Sequence, residues 1–194
     1  YANDTATAAA KGPMSTTNAY YGATGNASFG YFGGGYNGSE LSTVDRVDYS
    51  NDTATASVRG PLSSARFGLE GFSAQANAIT TNPLFPALSS ERENVAPQGT
   101  DFGYFGGGEP NISTVDRIDY TNDTATAVVK GPLSGSKYNH TATGNADFGY
   151  QGGGKDSGGN FTSSVDRIDY SNDTATAAAK GPLSFARRFL TATS

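Results

Sequence analysis

The side chains with the types and spacing to do chemistry are the aspartates of one short run, Val44 to Asp52, which carries Asp45, Asp48 and Asp52 around Arg46. Carboxylates set close together are what acid–base catalysis uses, and oxygen ligands every few residues are what a calcium loop uses. The same set returns as Asp116, Asp119 and Asp123 around Arg117, and as Asp166, Asp169 and Asp173 around Arg167. An active site is built once, whereas a stabilising network is built in every repeat. The expected role is therefore an ion-pair network made by Asp45, Arg46, Asp48, Asp116, Arg117, Asp119, Asp166, Arg167 and Asp169. Calcium is the lesser reading, since the run lacks the mid-loop glycine and terminal glutamate of an EF-hand, and catalysis is lesser still.

Two other motifs are weaker. Gly149 to Asp156 nearly matches the phosphate-binding GxxxxGK[ST], but Asp156 stands where a hydroxyl should hold magnesium, and no helix is expected after it. A β-turn is the expectation. His140 is the single histidine and there is no cysteine, so histidine clusters, thiolate sites, disulfides and cysteine nucleophiles all drop out. No catalytic residue, metal site or cofactor is expected. Nine N-x-S/T sequons occur, at Asn3, Asn26, Asn37, Asn51, Asn111, Asn122, Asn139, Asn160 and Asn172. Four of them are one repeated Asn-Asp-Thr turn, which favours a turn role over a glycan.

The elements that position these residues belong to a repeat. Phe29 to Gly35 (FGYFGGG), a variable linker and Ser42 to Arg66 form the first full copy; FGYFGGG returns at Phe102 and FGYQGGG at Phe148. The Asn-Asp-Thr turns begin at Asn3, Asn51, Asn122 and Asn172, spaced 48, 71 and 50 residues. Units of this length, made of strands and turns, bury their apolar faces only against their neighbours. The aromatic strand runs into three glycines, where the lack of a Cβ permits a sharp bend or a close backbone approach. In Thr43 to Tyr49, alternation puts Val44, Arg46 and Asp48 on one face and Asp45, Val47 and Tyr49 on the other. Neither face is purely apolar, which suits a strand sandwiched between neighbours. Ser50-Asn51-Asp52 supplies turn chemistry, and Thr53 to Arg59 reads as a third strand ended by Gly60-Pro61. A fourth strand is expected after each Gly-Pro-Leu-Ser, the last being the RRFLTATS that follows Ala186.

Composition narrows the classes further. With 36% hydrophobic residues, 26 glycines, 11 Tyr, 11 Phe and no Trp, ring packing replaces a bulky aliphatic core. The net charge of −5 offers no basic stripe to nucleic acid or to anionic membrane surfaces. No apolar run reaches the ~18 residues of a membrane-spanning helix. The first residue, Tyr1, lies inside a repeat, and the chain reads as a segment of something longer.

The repeat resembles the kelch motif of β-propellers. The resemblance lies in the order of Gly33 to Gly35, Val44 to Asp48, Asn51 to Thr53, Pro61-Leu62 and the basic Arg66, which recurs as Lys137 and Arg187 but is Asn18 in the first copy. It implies an all-β fold of kelch-like propeller blades with four antiparallel strands each, about three complete and one split, completed by the parent chain or a neighbouring copy. It departs from kelch at Ala54-Thr55-Ala56, where a Trp is usual; extra Tyr and Phe are expected to fill that interface. The Gly- and Thr-rich wording also resembles repeats of structural and fibre proteins of marine bacteriophages, cyanophages in particular. That resemblance implies a virion appendage such as a tail fibre, collar or decoration, located on the virion. Its partners would be other virion proteins or copies of itself, with a host-surface glycan or receptor as a further partner.

The chain reads as one repeat domain over 1–194, with an insertion from Leu69 to Thr100. The insertion carries three prolines and the apolar Leu84, Phe85 and Leu88, the sequence's candidate binding residues. The alternative function is a cell-surface or secreted adhesion or carbohydrate-binding propeller, whose Tyr20, Tyr21 and Phe85 would stack on sugar rings. An enzyme is the weakest class, because no catalytic group is unique to one repeat.

Overall fold

The structure, a computed structural model, describes residues 7–73 and 101–192. Leu84, Phe85 and Leu88 lie outside them. The described chain is all-β, with no α-helix and two 3-10 turns, Tyr49–Asn51 and Tyr170–Asn172. It forms three antiparallel sheets of four strands. The first is β1 (Gly22–Gly25), β2 (Phe29–Gly33), β3 (Val44–Asp48) and β4 (Ser57–Arg59). The second is β5 (Glu70–Ser73), β6 (Phe102–Gly106), β7 (Val115–Asp119) and β8 (Val128–Lys130). The third is β9 (Thr141–Gly144), β10 (Phe148–Gly152), β11 (Val165–Asp169) and β12 (Ala178–Lys180). Each is a meander in chain order, and the aromatic strand pairs with the aspartate strand in one register: Tyr31 opposite Arg46, Tyr104 opposite Arg117, Tyr150 opposite Arg167.

Three details differ from the sequence reading. The strand after Gly-Pro-Leu-Ser opens the next sheet instead of closing its own: residues 70–73 pair with Phe102–Gly106 of the following copy. Leu69 to Ser73, read as the start of the insertion, therefore belong to the fold, with Leu69 buried and Glu70–Ser73 in β5. The Thr-Ala segment is mostly turn. Only Ser57–Arg59 pairs with β3, because Ala54 N–H closes on Asn51 O and Ala56 N–H donates to Pro13 O of the preceding repeat. In the last stretch the described residues 187–192 form no strand; in the other copies the strand starts at the position of Thr191, and the final two residues lie outside the described ones.

The core lies between consecutive sheets. Tyr31, Val44 and Leu62 pack with Phe105, Ile118 and Tyr120; Phe72, Tyr104 and Leu133 pack with Ile168 and Tyr170. Rings stack across the junctions: Tyr31 on Tyr120 at 4.9 Å and Tyr104 on Tyr170 at 5.1 Å, with Phe72 on Tyr104 at 5.4 Å inside the second sheet. Such pairs contribute about 0.5–1.5 kcal/mol each beyond area burial. The triple glycine makes the close approach possible. A Cβ on Gly33 would meet the Phe105 ring at 2.9 Å, and Gly34 and Gly35 sit at φ +72° and +112°, in the left-handed region.

Candidate functional site

The chemistry-bearing residues gather at the junction between one sheet and the next, and the junction repeats. Alternation sends Tyr31 and Arg46 off the same face of the first sheet. There Tyr31 Oη donates to Asp123 Oδ2 at 2.8 Å and Arg46 Nη1 to the same oxygen at 2.7 Å, with Arg59 Nε at 3.5 Å. The second sheet repeats the pattern on Asp173, using Tyr104 Oη at 3.1 Å, Arg117 Nη1 at 2.8 Å and Lys130 Nζ at 3.2 Å. Burial first, and then the carboxylate it donates to, push each of these two phenols above its ordinary pKa. Each arginine also covers a phenylalanine of its own sheet, Arg46 on Phe29 at 4.3 Å and Arg117 on Phe102 at 4.0 Å.

The opposite face of each aspartate strand points back to the preceding repeat. Asp116 is fully buried; it accepts from Ser63 N–H at 3.0 Å and from Arg66 Nη2 at 3.0 Å, and that guanidinium is buried too. Burial pulls Arg66 below its ordinary pKa and the Asp116 charge pulls back. Asp166 pairs with Lys137 Nζ at 3.0 Å and accepts from the Ser134 hydroxyl at 2.5 Å. Asp45 differs. It accepts from Ser15 N–H at 2.9 Å, but Asn18 stands where the others have a cation, and its amide donates to Gly34 O at 3.3 Å instead.

A backbone clasp completes the junction. Gly12, Gly60 and Gly131 N–H donate to Asp52, Asp123 and Asp173 O, each at 2.8 Å, while Ala56, Ala127 and Ala177 N–H donate back to Pro13, Pro61 and Pro132 O at 2.8–2.9 Å. Only glycine fits, since a Cβ on Gly12, Gly60 or Gly131 would meet the facing alanine carbonyl oxygen at 1.8–1.9 Å. A second ladder crosses the repeats: Gly68 N–H to Tyr20 O, Asn139 N–H to Gly68 O and Phe189 N–H to Asn139 O, at 2.7, 2.8 and 3.0 Å. All four residues have φ between +51° and +64°.

The expected network residues thus divide into three jobs. Arg46 and Arg117 reach forward to the turn aspartate of the next repeat, and not to the aspartates beside them in sequence. Asp45, Asp116 and Asp166 reach backward. Asp48, Asp119 and Asp169 leave the junction and cap their own turns, accepting from the backbone and side chain of Ser50, Thr121 and Ser171. Those serine bonds hold the Asp48 and Asp169 carboxyls below their ordinary values. Arg167 covers Phe148 at 4.2 Å and has no carboxylate among the described residues. The sequence places Asp123, Asp173, Arg66 and Lys137 in the repeat without revealing that they are the partners; the signal is the basic residue six positions after the glycine of three of the four Gly-Pro pairs, with Asn18 in the first.

The other motifs resolve simply. Gly153, Gly154 and Lys155 N–H already donate to Ser164, Arg187 and Tyr138 O, so no phosphate cradle is free in the glycine run. His140 is buried against Gly107 and Gly154; burial, with the Lys137 charge behind it, lowers its pKa to about 3. A cleft of about 240 Å³ opens beside it, lined by Tyr20, Tyr21, Glu70, Asn139, His140 and Phe189 among others. Burial raises Glu70 there to about 7. Among the described residues, no three His, Cys, Asp or Glu side chains come together to hold a metal, and no helix is long and apolar enough to cross a membrane. No family model matches the chain, and no curated protein is detectably similar to it in sequence.

Proposed function

We propose that the chain is a structural repeat scaffold serving as a virion appendage, a tail fibre, collar or decoration, and that it is not an enzyme. In this reading its sheets are blades of a kelch-like propeller completed by further repeats or by a neighbouring copy. The supporting observation is what the junction does with reactive side chains. Aspartates, arginines and tyrosines that could do chemistry are taken up in holding one sheet to the next. The cyanophage-like wording of the repeat carries the step from scaffold to virion. Mass spectrometry of purified virus particles bearing this coding sequence tests it: the protein is expected at the copy number of a structural component. Recovery from a host-cell surface fraction, with none in particles, would overturn the assignment.

One observation favours the second reading, carbohydrate-binding adhesion. Tyr20 and Phe189 flank the cleft at 57% and 61% exposure, and Tyr21 at 40%. Exposed rings offer apolar faces, with the tyrosine hydroxyls as polar handles, on which a sugar ring would stack in this reading. Glycan-array binding that disappears in a Tyr20→Ser variant would support it.

A further inference from the structure

The two ends of the described chain carry the same half-junction, and the weaker version is the one in use. Residues 9–15 and 178–184 read Ala-Ala-Lys-Gly-Pro-Met-Ser and Ala-Ala-Lys-Gly-Pro-Leu-Ser. The first is engaged with the first sheet: Gly12 N–H on Asp52 O, Pro13 O accepting from Ala56, Ser15 N–H on Asp45, and Lys11 on Asp52 at 3.1 Å. Its side chains fit less well than those of the internal copies. Met14 is half-buried where Leu62 and Leu133 are buried, and Asn18 occupies the position of Arg66 and Lys137. Asp45 is left buried with no cation among the described residues, whereas Asp116 and Asp166 have Arg66 and Lys137.

The second version has the stronger residues, and beyond its own sheet, to which Leu183 and Arg187 N–H donate, no sheet faces it among the described residues. Leu183 stands at the leucine position and Arg187 at the basic position. Arg187 is exposed, touches Ser184 at 3.4 Å and the Phe185 ring at 5.9 Å, and has no carboxylate among the described residues. A Cβ on Gly181 would meet nothing within 4 Å, whereas the same atom on Gly12, Gly60 or Gly131 would strike a facing carbonyl. So among the described residues Arg187 is a cation without an anion and Asp45 an anion without a cation, and the residues around each already have the form of the two halves of one junction.

We propose that residues 178–187 of one copy dock on the first sheet of a second copy, in the place of its residues 9–18, with Arg187 on Asp45, Gly181 N–H on Asp52 O and Leu183 in the place of Met14. The exchange keeps the backbone clasp, since both stretches present it. It adds a buried ion pair of the Arg66–Asp116 kind where a buried carboxylate now lacks its counter-charge. The result is a head-to-tail chain or ring of copies, because the two contacting surfaces differ. This docking needs no virion around it.

Two substitutions separate the docked state from the free one. Gly181→Ala places its methyl in open space in the single copy and against a carbonyl oxygen in the docked one. Asn18→Arg gives Asp45 its cation from within the same copy and so strengthens the stretch that must be displaced. Sedimentation of the whole 194-residue protein over about 1–100 µM is expected to show concentration-dependent association, which each variant weakens about tenfold or more with its strand content intact. A wild-type protein that stays monomeric over that range overturns the proposal. So does association that neither variant changes. If the protein is monomeric and Gly181→Ala lowers its melting temperature, residues 178–187 close on their own copy, and the second copy is ruled out as occupant.

Discussion

At the residue scale, removing one member of a buried ion pair costs more than the pair itself contributes. Arg66 and Asp116 are both fully buried and meet through one nitrogen and one oxygen at 3.0 Å, with Arg66 Nη2 also donating to Phe105 O at 3.1 Å. Arg66→Ala strands Asp116, and a loss of about 3–5 kcal/mol is expected in denaturant unfolding. The double variant Arg66→Met with Asp116→Leu removes both charges, so it should recover most of that loss; a double variant as unstable as the single one would mean the pair acts through geometry and not charge. Glu70 and His140 give the fold its pH window. Glu70 titrates near 4.5 when unfolded and is raised to about 7 by burial, so the folded chain keeps a proton that the unfolded chain releases. Stability therefore falls as pH rises from 4.5 through 7. His140, lowered to about 3 from 6.5, works the other way: below pH 6.5 the unfolded chain takes up a proton that the folded chain refuses, and stability falls on acidification towards pH 3. Glu70→Gln removes only the alkaline loss. Its melting temperature should exceed the wild type's at about pH 8 and match it at about pH 4, a gain on the order of 1–3 kcal/mol at the higher pH.

At the element scale, much was legible because turns and alternation are local. The order of aromatic strand, aspartate strand and polar turn could be read from residues 29–52, and the wealth of Tyr and Phe pointed to ring packing, which the junctions use where Tyr31 stacks on Tyr120 and Tyr104 on Tyr170. Partners were not legible. Arg46 sits between two aspartates in sequence, yet pairs with Asp123, 77 positions away, because alternation turns it to the opposite face from Asp45 and Asp48 caps a turn. The same limit hid the shift of the fourth strand to the next sheet and the use of Thr53 to Ala56 as a clasp, since both depend on hydrogen bonds to another repeat. The clasp itself can be tested at Gly131, where a Cβ would lie 1.9 Å from Ala175 O. Gly131→Ala should cost about 1–3 kcal/mol through forced separation of the turns. An unchanged melting temperature would show that the junction yields at this point.

At the scale of the whole molecule, the contacts run from each sheet to the next. Two core clusters, one at each junction, hold the first sheet to the second and the second to the third. Stability in such an array is a sum of unit terms and nearest-neighbour terms, so damage at one junction should stay local. Asp173 is the place to apply it. It is buried, it accepts from Tyr104, Arg117 and Lys130, and all three donors come from the second sheet. Asp173→Asn removes the charge that holds the two cations at that junction and leaves the first junction, centred on Asp123, untouched. Amide exchange in β9–β12 should then quicken by about tenfold or more relative to β1–β4, as the third sheet opens while the first two remain closed. Equal quickening in all three sheets would mean that the array opens as one block, with the first junction, where Tyr31 stacks on Tyr120, transmitting the loss at the second.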